Sequence, residues 1–238
     1  MAPAAPVPAP ALFLRGAVAL SGRFPLLAGV DLEVAPGEVV LVEGPNGAGK
    51  TSLLRVCAGL VPLASGTVRV LGGDPADVRT GVRRRIGLLG HASHLYDDLT
   101  VAENLRFAVR AAGAPVDGIG PACERVGLVG RLLRTPAGKL SAGQRRRVAL
   151  AALVARRPEL WLLDEPHAGL DASARGVLGA LVAEAAAAGS TVVVASHEPE
   201  LVAPLATRAV TVAGGRVVAD RATPRPVSTA GTGVADVA

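Results

Sequence analysis

The 238 residues suffice for one large domain or two small ones, and with half of them hydrophobic a sizeable core is available. Only 2% are aromatic, so Val, Leu and Ala must build that core. The net charge of +5 admits nucleic acid or an anionic membrane surface, but outside Arg83–Arg85 and Arg145–Arg147 the arginines are scattered and read as a solvated face, so no nucleic-acid partner is expected.

In chain order, the opening MAPAAPVPAPA has no charged start and no long apolar core. Residues 1–11 therefore read as a disordered Pro/Ala-rich tail and not a secretory signal. Phe13–Leu20, Val30–Val34 and Thr67–Leu71 read as an antiparallel β edge, with turns at Pro36-Gly37 and Gly72-Gly73. Val39–Val42, Ile86–Leu89, Leu160–Leu163, Thr191–Ala195 and Ala209–Val212 are short apolar runs, the expected strands of a mainly parallel sheet. Thr51–Leu60 is the expected helix after the first of them. Between about Thr100 and Arg157 strand signals vanish, and Val101–Ala112, Pro121–Gly127 and Ala142–Arg156 carry helical periodicity. An α/β domain over 12–222 is expected, with a helical insertion at about 92–157 and a second disordered tail at 223–238. No run reaches the roughly eighteen apolar residues of a membrane span; Val148 to Ala155 stops at Arg156-Arg157. Cys57 and Cys123 have neither metal-ligand spacing nor a disulfide framework, as in a reducing compartment.

Four stretches carry chemistry. Gly44-Pro45-Asn46-Gly47-Ala48-Gly49-Lys50-Thr51 fits G-x-x-x-x-G-K-[ST] between a strand and a helix, with Ser52 completing the ATP-binding stretch. Glycines let backbone N–H groups ring a phosphate, and the helix N-terminus adds partial positive charge. Lys50, one of only two lysines, is placed for the β- and γ-phosphates and Thr51 for Mg²⁺. Leu160–Glu165 is an apolar strand ending in two carboxylates, Asp164 to hold the metal and Glu165 to polarise attacking water. The plain alternative, an acidic strand-to-loop turn, loses weight beside the phosphate loop. Ser141 can cap the helix Ala142–Arg156, leaving N–H groups at Ala142 and Gly143 as a second anion site, with Gln144 beside them. His197 follows the strand Thr191–Ala195; such histidines are usually structural, but this one falls at the sheet end that bears Lys50 and Glu165, so a γ-phosphate contact is expected.

In that order GPNGAGKT, LSAGQ, LWLLDEP, AGLD and SH resemble the ATP-binding cassette (ABC) ATPases over roughly residues 12–222. The resemblance implies a phosphate-loop NTPase fold with a RecA-like α/β core, an antiparallel β edge and an all-helical subdomain, with ATP and Mg²⁺ as cofactors. It implies a second cassette as partner, here a homodimer, so that Ser141, Ala142, Gly143 and Gln144 act on the partner's nucleotide. Ala168–Asp171, ending in Asp171, would couple the two sites. His91 stands where the family usually has a Gln that contacts Mg²⁺ and senses the membrane partner; its reach and protonation differ from glutamine. Ser21, which cannot stack, falls where an aromatic usually stacks on adenine; either Phe24 substitutes for it or adenine binding is weak or base-tolerant.

GHASHLYDDLTVAENLRF, LSAGQRRRVALA and the tryptophan in LWLLDEP further resemble the ATP-binding subunits of cytochrome c maturation, haem-exporter (CcmA-like) systems. The expected function is an ATPase that drives an integral membrane permease, held through it on the inner, cytoplasmic face of the membrane. Export of a lipid, drug or peptide stays open. DNA-repair heads carry long coiled coils or zinc modules between phosphate loop and signature, and translation factors carry two cassettes; here the interval is about ninety residues without heptads or cysteine clusters.

Overall fold

The computed structural model describes residues 9–223; the expected tails over 1–8 and 224–238 lie outside the described residues. Two sheets form. β1 (Leu12–Ser21), β2 (Phe24–Val34) and β4 (Ser65–Val70) make an antiparallel sheet in the order β2-β1-β4. β3 (Val39–Glu43), β5 (Ile86–Leu89), β6 (Leu160–Asp164), β7 (Thr191–Ala195), β8 (Arg208–Ala213) and β9 (Arg216–Ala222) make the second, in the order β5-β6-β7-β3-β8-β9. It is parallel from β5 to β8, and β9 closes it antiparallel. The helices are α1 (Lys50–Cys57), α2 (Val82–Arg85), α3 (Val101–Ala111), α4 (Ile119–Arg125), α5 (Ala142–Arg156) and α6 (Ala172–Ala187).

Period-two alternation in the central strands sorts side chains between two cores. Val39 and Leu41 of β3, Trp161 and Leu163 of β6, and Val192 and Val194 of β7 face a core shared with α3, α5 and α6. Val40 and Val42, Leu160 and Leu162, and Val193 and Ala195 face a second core shared with α1 and the antiparallel sheet. Each such aliphatic side chain contributes about 1.5–3 kcal/mol. These strands are buried on both faces, which is why they read as unbroken apolar runs. The parallel arrangement brings the ends of β3, β6 and β7 side by side.

Several expectations change. β2 begins at Phe24, six residues before Val30, because pairing with β1 overrides the breaking influence of Pro25 and Gly29. α6 and β9 are additional elements. Ala11, assigned to the leading tail, is buried; its N–H donates to the Val34 carbonyl at 2.8 Å and its own carbonyl accepts from Leu71 N–H at 2.8 Å. At the other end Thr223 donates from its N–H to Thr207 O at 3.1 Å, so it too belongs to the fold. The two arginine runs make specific contacts. Arg83 binds the Pro75 and Gly59 carbonyls, Arg85 pairs with Glu159, and Arg145–Arg147 are committed as described next.

Candidate functional site

The loop between β3 and α1 is shaped for glycine. Gly44 has φ 144°, and a Cβ there would lie 2.1 Å from the Val212 carbonyl oxygen of β8. Gly49 has φ 110°, and its Cβ would meet the Leu26 oxygen of β2 at 2.9 Å. The loop is thus clamped between two sheets in a conformation that side chains resist. Gly49 is also the N-cap of α1 and supplies no side-chain cap; the first turn holds no acidic residue. Its N–H groups and dipole therefore face the loop's concavity without an internal anion. Lys50, only 7% exposed, folds back to donate to Gly44 O at 2.7 Å and Pro45 O at 3.1 Å.

On the far side of β7, Asp164 at the end of β6 is buried and accepts a hydrogen bond from Thr51 Oγ1 at 3.1 Å. Burial raises its carboxyl pKa, with the Thr51 bond opposing. A hydroxyl and a carboxylate oxygen meeting beside a phosphate cradle are the hard-oxygen donors that Mg²⁺ takes, alongside water and phosphate. The next residue, Glu165, has φ 46°, an uncommon conformation for a non-glycine residue. It is held there by donation from its N–H to Ala195 O at 2.9 Å. Its Oε2 lies 2.7 Å from His197 Nδ1 and accepts from the His197 N–H at 3.3 Å. Lys50, Thr51, Asp164, Glu165 and His197 thus converge at the carboxyl ends of β3, β6 and β7.

Ser141, Ala142, Gly143 and Gln144 lie elsewhere. Among the described residues no hydrogen bond joins them to the loop 44–52. Ser141 Oγ accepts from Gln144 N–H at 3.2 Å while Gln144 Oε1 accepts from Ser141 N–H at 2.9 Å, a reciprocal cap on α5. Asp171 caps α6 by accepting from Ala174 N–H at 2.8 Å and pairs with Arg147 Nη2 at 2.9 Å. His91, just beyond β5, is exposed and lines a cavity with His94, Arg145 and Arg146. Phe24 is 79% exposed at the tip of the β1–β2 hairpin, opposite Ser21.

Two residues that the sequence did not single out lie beside these groups. Arg146 is buried, and its guanidinium donates to the backbone carbonyls of Asp164 at 3.1 Å and Glu165 at 2.8 Å, and to those of Gly90 and Pro166. One side chain of α5 therefore ties the acidic strand end to the strand end that leads into His91. Burial lowers its pKa, with Asp164 and Glu165 opposing. His167 is buried two residues past Glu165, and its Nδ1 has no hydrogen-bond partner.

Comparison with known proteins adds family context. A family model described as "ABC transporter" matches residues 27–168. "Cytochrome c biogenesis ATP-binding export protein CcmA" of Aromatoleum aromaticum is 44% identical over 192 residues, 79% of this chain and 89% of that protein. The protein of that name in Rhodopseudomonas palustris is 40% identical, covering 78% and 90%. A "Putative ABC transporter ATP-binding protein" of Streptomyces avermitilis is 43% identical over 91% of this chain, which spans 39% of its length. Among solved structures, an ATP-binding subunit of an ABC transporter superposes with TM-score 0.83 at 26% identity over 89% of each chain. A dimeric bacterial ABC transporter cassette gives 0.81 at 25%, covering 90% and 99%.

Proposed function

The chain belongs to the ABC transporter ATP-binding family and is an ATPase, and from that premise we propose that it drives an integral membrane permease in cytochrome c biogenesis, with haem as the exported class. The observation that carries the reading is the convergence of Lys50, Thr51, Asp164, Glu165 and His197 at one sheet end. Residues 90–107, which resemble haem-exporter subunits, and the names of the CcmA relatives favour cytochrome c biogenesis. Among the described residues no helix is long and apolar enough to cross a membrane; in this reading a separate membrane subunit supplies the path and the chain works at its inner face.

In this mechanism the N–H groups of residues 46–51 and the Lys50 ammonium hold the ATP phosphates, and exposed Phe24 stacks on the adenine. Thr51 and Asp164 would hold Mg²⁺, which when bound neutralises phosphate charge. Glu165 accepts a proton from the attacking water. His197 fixes the Glu165 carboxylate through Nδ1 and turns its other face toward the γ-phosphate. Ser141–Gln144 complete the nucleotide site of a second copy of the chain, and Asp171 couples the two sites. The catalytic domain runs over 11–223, with the helical subdomain at about 92–157.

The test is genetic and chemical. Deleting the gene is expected to abolish covalently haem-bearing c-type cytochromes, restored by the wild-type gene and not by Glu165→Gln. The Streptomyces relative supports a second reading, another ABC exporter. Intact c-type cytochromes in the deletion strain would select it.

A further inference from the structure

Of the three successive arginines on α5, the middle one points into the protein. Arg146 is 8% exposed, and among the described residues its hydrogen bonds all go to backbone carbonyls. Nη2 donates to Asp164 O at 3.1 Å and to Glu165 O at 2.8 Å, Nε donates to Pro166 O at 3.4 Å, and Nη1 donates to Gly90 O. The first three acceptors belong to consecutive residues where β6 ends. The fourth lies just past β5, the neighbouring strand. One side chain therefore grips two adjacent strand ends at once.

Successive carbonyls of a strand point in alternate directions, so their convergence on one guanidinium marks the turn that ends β6. Glu165 makes that turn. Its φ of 46° is uncommon for a residue with a side chain, and such backbone persists only where its surroundings over-determine it. Three bonds meet on this residue's backbone. Its N–H donates to Ala195 O at 2.9 Å, and its carbonyl accepts from Ala168 N–H at 3.1 Å and from Arg146. In this conformation the Glu165 carboxylate lies 2.7 Å from His197 Nδ1. Ala195 belongs to the sheet and Ala168 to the same loop; Arg146 alone comes from a helix. Its helix is capped at Ser141, little more than one turn upstream, so a movement of that end carries the guanidinium with it.

We propose that Arg146 is a positioning residue for hydrolysis: its fork holds Glu165 in the left-handed conformation that presents the carboxylate to the attacking water, and it makes that placement depend on the seating of α5. This role rests on the ATPase mechanism above and deepens it, since the alignment of Glu165 is assigned to a side chain committed to backbone carbonyls. A planar guanidinium holds its donors in a rigid fork that an ammonium cannot copy. Without it, buried carbonyls lose their donor, and the turn that carries Glu165 is free to relax. Among the described residues no hydrogen bond joins Arg146 to the loop 44–52, so affinity for ATP lies outside its reach.

The test is a double-mutant cycle on the purified full chain. Arg146→Met is expected to lower kcat about 10–10²-fold, less than the roughly 10²–10⁴-fold of removing the base itself, with KM for ATP within about twofold of wild type. Arg146→Lys, which keeps the charge and some of the donors, should recover part of that loss. Added to Glu165→Gln, Arg146→Met should change the residual single-turnover rate less than about twofold, because no base is left to align. The doubly substituted chain should also dimerise with MgATP as fully as Glu165→Gln alone. Urea unfolding followed by the emission of Trp161, the chain's one tryptophan, shows that each variant is folded; should Arg146→Met fail to fold, Arg146→Lys carries the same cycle. KM rising in step with the fall in kcat, equal losses in both backgrounds, or loss of the dimer overturns the role of Arg146 alone. Failure of both variants to fold shows a purely structural arginine and overturns it too. Should Glu165→Gln by itself leave turnover within about threefold of wild type, the assignment of Glu165 falls first and its alignment by Arg146 falls with it.

Discussion

The N-termini of α1 and α5 are both rich in small residues, yet they are finished in opposite ways. α1 opens on Gly49 in a left-handed conformation with no side-chain cap. α5 opens on Ser141, whose hydroxyl and the Gln144 amide satisfy each other's backbone, as Thr100 and Glu103 do for α3. An uncapped helix end beside a buried lysine is configured for a ligand of its own. A self-capped end is stable as it stands and keeps only its first N–H groups free for a visitor. The first end is joined to the Asp164 carboxylate through Thr51; the second is linked to Asp164 and Glu165 only through their backbone carbonyls, which Arg146 binds. Under the proposed function, the difference separates a phosphate site of the chain's own from a helix end that serves a partner's phosphate.

The strongest way to break the comparison is to disable chemistry at the first end while leaving binding intact. Glu165→Gln is expected to lower steady-state hydrolysis by about 10²–10⁴-fold with nucleotide affinity unchanged. Light scattering of that variant should show a homodimer with MgATP and a monomer without it. Turnover within threefold of wild type would end the assignment of Glu165.

Paired glycine substitutions sharpen the contrast. Gly49→Ala meets both a left-handed φ and the Leu26 oxygen, and should weaken ATP binding by at least about tenfold. Gly143→Ala, whose Cβ would lie 3.3 Å from Gly169 O at an ordinary helical position, should leave affinity within about twofold while lowering dimer formation. Equilibrium titration with a fluorescent nucleotide separates the two; equal losses would erase the distinction. A smaller effect is expected from Ser141→Ala, about 1 kcal/mol in urea unfolding, without loss of ATP binding by the isolated chain.

The smallest effect concerns His167, which lies in the loop between β6 and α6. Burial first, then Arg175 and Arg146, hold its pKa below the ordinary value, against Glu198 and Glu165. The folded protein keeps the imidazole neutral, whereas the unfolded chain takes up a proton near pH 6.5. Its contribution is therefore fully present above about pH 6.5 and is lost as pH falls from there toward the folded pKa. His167→Phe should flatten that acid-side decline, a difference of about 2 °C in melting temperature at pH 5.5. Parallel melting curves for the two proteins would remove His167 from consideration.

The phosphate loop was legible because its physics fixes both residue type and spacing. The central strands were legible because burial on both faces confines their polar residues, Glu43, Asp164 and Thr191, to the strand ends. α6 was hidden because Leu178, Leu181 and Val182 are its buried residues in an alanine-rich stretch that gives little contrast between faces. β9, RVVADRA, is almost wholly exposed and owes its form to pairing with β8. Arg146 was hidden by its neighbours. Consecutive helical residues point about 100° apart, so Arg145, Arg146 and Arg147 face three surroundings: Asp97, the buried carbonyls and Asp171. A run of like residues in sequence is not a patch in space.

The seating of β3 between β7 and β8 has a consequence during synthesis. Its register partners, Val192 to Ala195 and Arg208 to Thr211, are made about 150 residues after it. At 5–20 residues per second, a ribosome needs roughly 8–30 s to supply them. Throughout that interval Val39–Val42 is an apolar strand with both hydrogen-bonding edges open, the kind of segment that recruits other chains. The same delay withholds Val212, against which Gly44 packs. A nascent chain therefore emerges with its nucleotide loop already translated but without the wall that shapes it, and ATP can reward folding only when the last strands arrive.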